Sequence, residues 1–307
     1  MSQAIIISDR GSGVTTFLGL LYAALVRWGS RPEEGFRVHA SPGSIRALKD
    51  VYACLMEGHF PSEAVKYRRT DLSFVLGYSS LGRGWLSAPH RPSELALHVT
   101  SLESIAELQG QGFVWDQGLR ERLASQVVVL LVDASRIPVD PAALTERSFH
   151  PWRKFDAMAG SALALLETYQ RTDRLRRRAR IHPIVVLTKL DLLPRELRVG
   201  TLGGIVPSPI ATAARAAWGE DLLASRLPQT WGVLTEGGHG VRFERPLWFT
   251  SWVGVESGSE GERRVRRRQT AAVGGWEPEY PYNEFESLLA HLQKLSDRVG
   301  DPVASPA

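Results

Sequence analysis

The sequence predicts an α/β fold, with one doubly wound domain over residues 1–307 built on a mostly parallel sheet. Two observations lead to this prediction. Short, continuous apolar segments alternate along the chain with longer segments whose apolar residues recur at helical spacing. The continuous apolar segments are typical of strands that helices cover on both faces, as happens in parallel sheets.

The N-terminal part begins with a strand at residues 4–7, all of which are apolar. A Gly-rich turn separates this strand from a helix at residues 15–28, where bulky apolar side chains recur at helical spacing. A second amphipathic helix is predicted at residues 45–56, because Gly58 and Pro61 follow it and end it.

The later elements follow from the same apolar runs and helical periods. In chain order they are strands at 72–78 and 95–99, joined by a loop with Gly82, Gly84 and Pro89; a strand at 127–132; a helix at 157–174; a strand at 184–187; a helix at 210–224 before a Gly-rich loop; a strand at 247–252; and a helix at 283–299 with Asn283 as N-cap. The segment 255–279, dense in Gly, Glu and Arg, is predicted to be an exposed, mobile loop insertion, and residues 300–307 a disordered tail.

The composition is that of an ordinary globular protein, with 43% hydrophobic and 23% charged residues. A single cysteine, Cys54, excludes an internal disulfide framework and fits a reducing compartment. No apolar run approaches the roughly 20 residues that span a bilayer, and the N-terminus shows neither a basic leader nor a cleavage site. We therefore expect a cytoplasmic protein.

Arginine is concentrated in two runs, residues 171–180 and 263–268. The net charge is only +4, and five of the 37 basic residues are lysines, which indicates a composition bias. The runs could contact nucleic acid, acidic lipid or an acidic partner; the alternative is a solvated helix end and a charged loop. The alternative is favoured, because no aromatic residue interleaves with either run to stack on bases.

The first chemical motif is the Gly-rich segment SDRGSGVTT at residues 8–16, between the first strand and the first helix. A phosphate-binding loop needs backbone amide groups turned toward the anion and a helix N-terminus aimed at it. The candidate nucleotide-binding residues here are Arg10, Gly11, Ser12, Gly13, Val14, Thr15 and Thr16. Thr15 is also the candidate Mg²⁺ ligand. The motif departs from GxxxxGK[ST] because Ser8 replaces the first glycine and Val14 the lysine, and alone it equally fits a tight turn after a strand.

The second motif consists of Thr188, Lys189 and Asp191, directly after the strand at 184–187. A carboxylate in this place can accept hydrogen bonds from the N1–H and 2-amino groups of guanine, a pair of donors that adenine lacks. The alternative is a surface turn that carries an aspartate. Two motifs in the right order on the right elements favour a guanine-nucleotide site.

The chain resembles the TRAFAC class of GTPases, in particular the bacterial double-GTPase-type domains. The segments that carry the resemblance are residues 5–25, 55–64, 127–135, 185–193, 246–251 and 280–292. The resemblance implies the three-layer P-loop NTPase fold of Ras-like GTPases, with GTP or GDP and Mg²⁺ as ligands. It also implies a protein partner, such as a homologous GTPase or an effector, and places Ser251 in the last base-contacting loop.

The sequence departs from this family at the positions that serve hydrolysis. In active relatives a switch threonine binds Mg²⁺ and the γ-phosphate, and Ala64 stands in its place. The DxxG element after the third strand reads TSLE at residues 100–103. Asp133 ends a strand and could be a Walker B carboxylate, but it is interpreted as the LVDAS strand end of these GTPases, which does not usually bind metal. Since each lost group is worth on the order of 3 kcal/mol in the transition state, little acceleration of hydrolysis is expected, and no catalytic residue is assigned.

Three functional hypotheses follow. The first is a pseudo-GTPase that binds guanine nucleotide weakly or not at all and acts as a regulatory or scaffold subunit in a bacterial multiprotein system. The second is an active, divergent GTPase in which Arg10 or a partner residue supplies the missing charge. The third is a protein on the P-loop fold that binds nucleic acid or an acidic surface through its arginine runs.

Overall fold

A computed structural model describes the chain in eleven segments. They are residues 2–29, 42–62, 73–78, 93–110, 122–140, 151–172, 180–198, 212–236, 243–259, 261–270 and 275–300. The chain divides into two compact units: the first unit comprises Met1–Gln3, Gly13–His98 and Ser251–Ala307, and the second unit comprises Ala4–Ser12 and Val99–Thr250. The amino-acid pattern gives no sign of this division.

The described elements alternate between strands and helices, as predicted. The strands are β1 (Ser2–Ser8), β2 (Ser73–Tyr78), β3 (Ser93–Ser101), β4 (Val127–Asp133), β5 (His182–Thr188), β6 (Leu247–Ser251), β7 (Val255–Ser257), β8 (Arg263–Val265), β9 (Arg267–Thr270) and β10 (Gly275–Pro278). The helices are α1 (Val14–Gly29), α2 (Pro42–Met56), α3 (Leu102–Gly110), α4 (Pro151–Thr172), α5 (Arg195–Arg198), α6 (Thr212–Arg226), α7 (Pro228–Glu236) and α8 (Tyr282–Gly300), and short 3-10 turns follow β4 and β5.

The second unit is built on a sheet with the strand order β3-β1-β4-β5-β6. Strand β1 pairs in parallel with β4, which places Ile5 opposite Val128. Strand β4 pairs in parallel with β5, up to Asp133 opposite Thr188 at the carboxyl ends. All seven residues of β4 are buried, as a strand covered on both faces requires. The predicted doubly wound α/β fold with a mostly parallel sheet is confirmed.

Helices α4 and α7 pack against each other in the second unit. Asp156 of α4 is buried, and its carboxylate accepts hydrogen bonds from the backbone amides of Gln229 (3.0 Å) and Thr230 (2.9 Å). These amides lie in the first turn of α7, where no intrahelical partner exists, so Asp156 acts as a cap supplied by another helix. In the same unit, Gly219 of α6 lies against Trp248 of β6.

The first unit has its own packing around α1, which contacts α2 and α8. The rings of Phe17 and Phe285 lie 5.6 Å apart. Gly19 allows α2 to approach closely, because a Cβ at this position would lie 2.6 Å from the side chain of Val51. Strand β2 pairs antiparallel with residues 93–98 of β3.

The structure differs from the sequence-based expectation at several elements. The segment 255–279 was expected to be a loop, but it contains β7–β10, with β7 paired to β8 and β9 to β10. Helix α7 occupies part of a predicted Gly-rich loop, and α3 follows β3 directly. Asn283 lies inside α8, which begins at Tyr282, so the prediction of Asn283 as N-cap is wrong.

Some predictions fall on parts of the chain outside the described residues. They concern the loop with Gly82, Gly84 and Pro89, the switch position Ala64, most of the arginine run 171–180 and the tail after Gly300. Among the residues that are described, no helix is long and apolar enough to cross a membrane.

Candidate functional site

The sheet of the second unit places one pair of strand ends at a topological switch point. Strand β1 lies between β3 and β4, and the chain continues from β1 toward the β3 side but from β4 toward β5. Ligands of open α/β sheets bind at the carboxyl ends of the strands where the connections diverge in this way. The loop after Ser8, and the chain after Asp133 and Thr188, therefore form the candidate site.

The loop after β1 has the backbone that its glycines permit. Gly11 and Gly13 adopt left-handed conformations, with φ of 80° and 84°, and the amide of Ser12 donates to the carbonyl of Asp9 at 3.2 Å. A Cβ on Gly11 would also lie 3.1 Å from Nη2 of Arg136. Position 11 thus requires glycine for its dihedral angles, and a Cβ there would also displace the guanidinium of Arg136 slightly.

The helix that follows the loop presents backbone donors at its start. The first intrahelical hydrogen bond joins the amide of Phe17 to the carbonyl of Gly13 at 2.9 Å. The amides of Val14, Thr15 and Thr16 consequently have no partner within the helix, and all three side chains are half-buried. A helix start of this kind, with the positive end of the macrodipole, fits an anion such as phosphate.

Thr188 and Lys189 contact the loop directly. The buried hydroxyl of Thr188 donates to the carbonyl of Ser12 at 2.6 Å and lies 3.2 Å from the carbonyl of Val132. Nζ of Lys189 donates to the carbonyl of Gly11 at 2.7 Å and to Oδ2 of Asp133, also at 2.7 Å. The structure therefore brings these two residues of the second motif together with the middle of the first motif.

The structure gives the positions of Asp191 and Ser251 but does not show what they bind. Asp191 lies in the 3-10 turn Leu190–Leu192, two residues after Lys189, and is half-buried. Ser251 is the last residue of β6 and is buried. Their contacts with a guanine base stay predictions.

Arg136 is a site residue that the sequence analysis missed. It lies in the turn after β4, and its guanidinium forms an ion pair with Asp9 (2.5 Å) and donates to the carbonyl of Arg10 (3.0 Å). Its Nε lies 3.4 Å from Oδ2 of Asp133. The spacing of three residues between Asp133 and Arg136 was the one available signal, because side chains at this spacing meet in a helical turn. Asp133 thus contacts Lys189, Arg136 and the amide of Ser135 at the end of the strand.

Two carboxyl groups lie beside the loop and accept hydrogen bonds from the backbone amide of Arg10. The amide of Arg10 donates to Oδ1 of Asp9 (2.8 Å) and to Oε1 of Glu103 (3.3 Å). Burial raises the pKa of Asp9, and hydrogen bonding and repulsion from Glu103 raise it further. Burial also acts to raise the pKa of Glu103, but hydrogen bonds from Asp9 and from backbone amides outweigh burial and lower that pKa. Glu103 therefore keeps its negative charge, next to the loop, to a lower pH than Asp9 does.

The charges available for phosphate and metal are few. Arg10, the one basic residue in the Gly-rich segment 8–16, is exposed. Within that same part, no group of three or more His, Cys, Asp and Glu side chains is placed to hold a metal ion. Thr15 at the start of α1 stays the predicted Mg²⁺ ligand.

Comparisons with known proteins give little further information. No protein-family model matches the chain, and no curated protein matches it. Among solved structures, the chain is similar to one from the signal recognition particle receptor SRb-GTP/SRX complex of Chaetomium thermophilum, with 13% identity over 81% of this chain and 90% of that chain and a TM-score of 0.33. A likeness of this degree says nothing about function.

Proposed function

We propose that this chain is a GTPase-like domain that binds guanine nucleotide weakly, does not hydrolyse GTP efficiently, and acts as a regulatory or scaffold subunit. The observation that supports this proposal is the pair of hydrogen bonds from Thr188 and Lys189 to the carbonyls of Ser12 and Gly11. If residues 188–191 were only a surface turn, hydrogen bonds from them to the Gly-rich loop would not be expected. In a nucleotide site, the residues that contact the base must lie close to the loop that binds the phosphates, and these hydrogen bonds hold residues 188–189 next to that loop.

The proposed binding mode uses backbone more than side chains. Phosphate would be held by the loop and by the amides of residues 14–16 at the start of α1. The stem of Lys189 is fixed by its two hydrogen bonds beside the loop, and Asp191 would accept the N1–H and 2-amino donors of guanine. A bound Mg²⁺, held by Thr15, would neutralise phosphate charge.

Loss of hydrolysis is supported by residues 100–103, which occupy the positions of the DxxG element. The hydroxyl of Ser101 accepts a hydrogen bond from the amide of Ser104 at 3.1 Å, so Ser101 begins α3 as an N-cap. Thr100 is buried, and Glu103 directs its carboxylate to the loop. These residues start a helix and add negative charge, whereas phosphoryl transfer needs positive charge and a positioned nucleophile. Val14 cannot supply that charge.

Weak affinity follows from the same carboxyl pair. A phosphate on the loop would compete with Glu103 for the amide of Arg10 and would be repelled by its charge. Two like charges about 5 Å apart cost about 3 kcal/mol at an effective dielectric constant of 20. Since Glu103 is only half-buried, solvent screening reduces this to about 1–2 kcal/mol, a factor of about 5–30 in affinity.

Arg136 favours a second candidate function, an active and divergent GTPase. Its guanidinium already lies at the loop, bound to the carbonyl of Arg10. In the structure its charge is compensated by Asp9 and Asp133, which is why we rank this candidate second. Hydrolysis that is lost on the change Arg136→Gln would reverse the ranking.

The test is titration calorimetry of the nucleotide-free chain with GDP, GTP and ATP, each with Mg²⁺. We expect weak binding of GDP and GTP, no detectable binding of ATP, and loss of the guanine preference in Asp191→Asn. The matched control is Asp221→Asn, an exposed aspartate on α6, which should bind like the wild type. Equal affinity for ATP and GTP, or unchanged guanine preference in Asp191→Asn, would refute the proposed site.

A further inference from the structure

The arginine run 263–268 lies in the first unit, on the short strands β8 and β9 that replaced the predicted loop. Val265, in the middle of the run, is fully buried, and its amide donates to the carbonyl of Gly58 at 2.8 Å. This bond ties the run to the turn after α2. The arginines on either side of Val265 are therefore held on a fixed backbone and are not part of an unstructured charged loop.

Three of the five arginines in the run are paired with glutamates. Arg268 lies 2.9 Å from the buried carboxylate of Glu277, and Arg266 lies 3.3 Å from the half-buried carboxylate of Glu279. Arg264 is bound to Glu262. The charges of Arg264 and Arg266 are compensated by these partners, whereas Glu277 is shared by Arg268 and Arg27 and compensates one charge of the two.

The other two arginines of the run lie over aromatic rings. The guanidinium carbon of Arg267 is 5.8 Å from the centre of the Trp276 ring, and that of Arg263 is 5.9 Å from the centre of the Phe60 ring. Within the described ranges neither arginine has a carboxylate partner. Arg267 is held by the carbonyl of Met56 at 3.2 Å, which fixes its orientation and leaves its charge uncompensated.

Trp276 is more exposed to solvent than is usual for so large an aromatic side chain. It is 54% exposed and stands on β10 opposite Gln269 of β9. No aromatic residue interleaves with the arginine run in the sequence, but the fold brings Phe60 beside Arg263 and Trp276 beside Arg267.

We propose that Arg263, Arg267, Phe60 and Trp276 form a binding surface for single-stranded nucleic acid, independent of the nucleotide site proposed above. Exposed indole and guanidinium planes stack on bases, and uncompensated arginines contact the phosphates that accompany every base. An acidic peptide would satisfy the two charges but would offer no flat ring for Trp276. The combination of flat and charged groups therefore favours nucleic acid over an acidic protein segment.

The test is fluorescence anisotropy of a labelled single-stranded dT 12-mer titrated with the full-length chain at low salt. We expect Trp276→Ala to weaken binding by about fivefold to 150-fold, the range that follows from losing one stacked base. Trp276→Phe should retain most of the affinity, because phenylalanine also stacks. Arg267→Gln should weaken binding and lower the slope of log affinity against log salt by about 0.7.

The controls separate this surface from general charge effects. Arg264→Gln removes an arginine of the same run that is already paired with Glu262, and it should change affinity less than Arg267→Gln. Poly-glutamate is the competing probe. The proposal is overturned if the 12-mer does not bind at low salt, if Trp276→Ala binds like the wild type, or if poly-glutamate binds as tightly as the 12-mer. Thermal unfolding of each variant verifies that it is folded.

Discussion

The hydrogen bond between Thr188 and the loop can be tested by the change Thr188→Val, which preserves shape and removes only the hydroxyl. The hydroxyl lies 2.6 Å from the carbonyl of Ser12, and both residues are buried. Valine would leave that carbonyl without this donor in a place that water does not reach. Such a loss costs about 1–3 kcal/mol, which corresponds to a five- to 150-fold change in the folding equilibrium.

The assay for Thr188→Val is urea denaturation, with Thr168→Val as the matched control. Thr168 also donates its hydroxyl to a backbone carbonyl, that of Ala164 at 2.8 Å, but it is exposed on α4. We expect the control to lose less than about 0.5 kcal/mol, and we expect faster hydrogen exchange over residues 8–16 in Thr188→Val only. Equal losses in the two variants would refute the inference that Thr188 holds the loop.

Three further changes test charge and packing. The raised pKa of Asp9 means that this carboxyl takes up a proton at a higher pH than an ordinary aspartate, so acidification removes negative charge beside the loop. GDP affinity of the wild type should therefore rise relative to that of Asp9→Asn as the pH is lowered through the range in which Asp9 takes up its proton, and calorimetry in which the two proteins keep the same difference throughout this range would contradict the prediction. Gly219→Ala should destabilise the chain by about 1–3 kcal/mol in urea, although alanine favours helices, because its Cβ would lie 2.3 Å from Trp248; a stabilised variant would show that the helix moves freely. Glu277→Gln should lower stability by about 1–3 kcal/mol in the same assay, because a buried carboxylate between two arginines is lost; an unchanged unfolding midpoint would show that the charge is not needed there.

The sequence predicts the buried strands well, because their signal is local. Residues 127–132 and 184–187 are continuous apolar runs, and the structure extends each by one to three residues as β4 and β5. The two chemical motifs lie directly after predicted strands, so the sheet topology alone brings Thr188 and Lys189 to the loop.

The short strands β7–β10 could not be predicted in the same way. Their side chains are mostly charged or exposed, and their pairing depends on contacts such as that between Arg268 and Glu277, which have no local signature. Helix α3 was not predicted either. Residues 100–103 were interpreted as a lost DxxG element, although Ser101 is the N-cap of this helix. The contact of Arg136 with Asp9 joins residues 127 positions apart, which a single sequence does not reveal.

Hydrolysis is the most direct test of the proposed function, because the retained features serve binding and the lost ones serve chemistry. The measurement is phosphate release from GTP by the purified wild-type chain under single-turnover conditions, with Asp191→Asn in parallel. We predict release no faster than the uncatalysed background for both proteins. Rapid release by the wild type that Asp191→Asn abolishes would show that the chain is an active GTPase and would contradict the proposal.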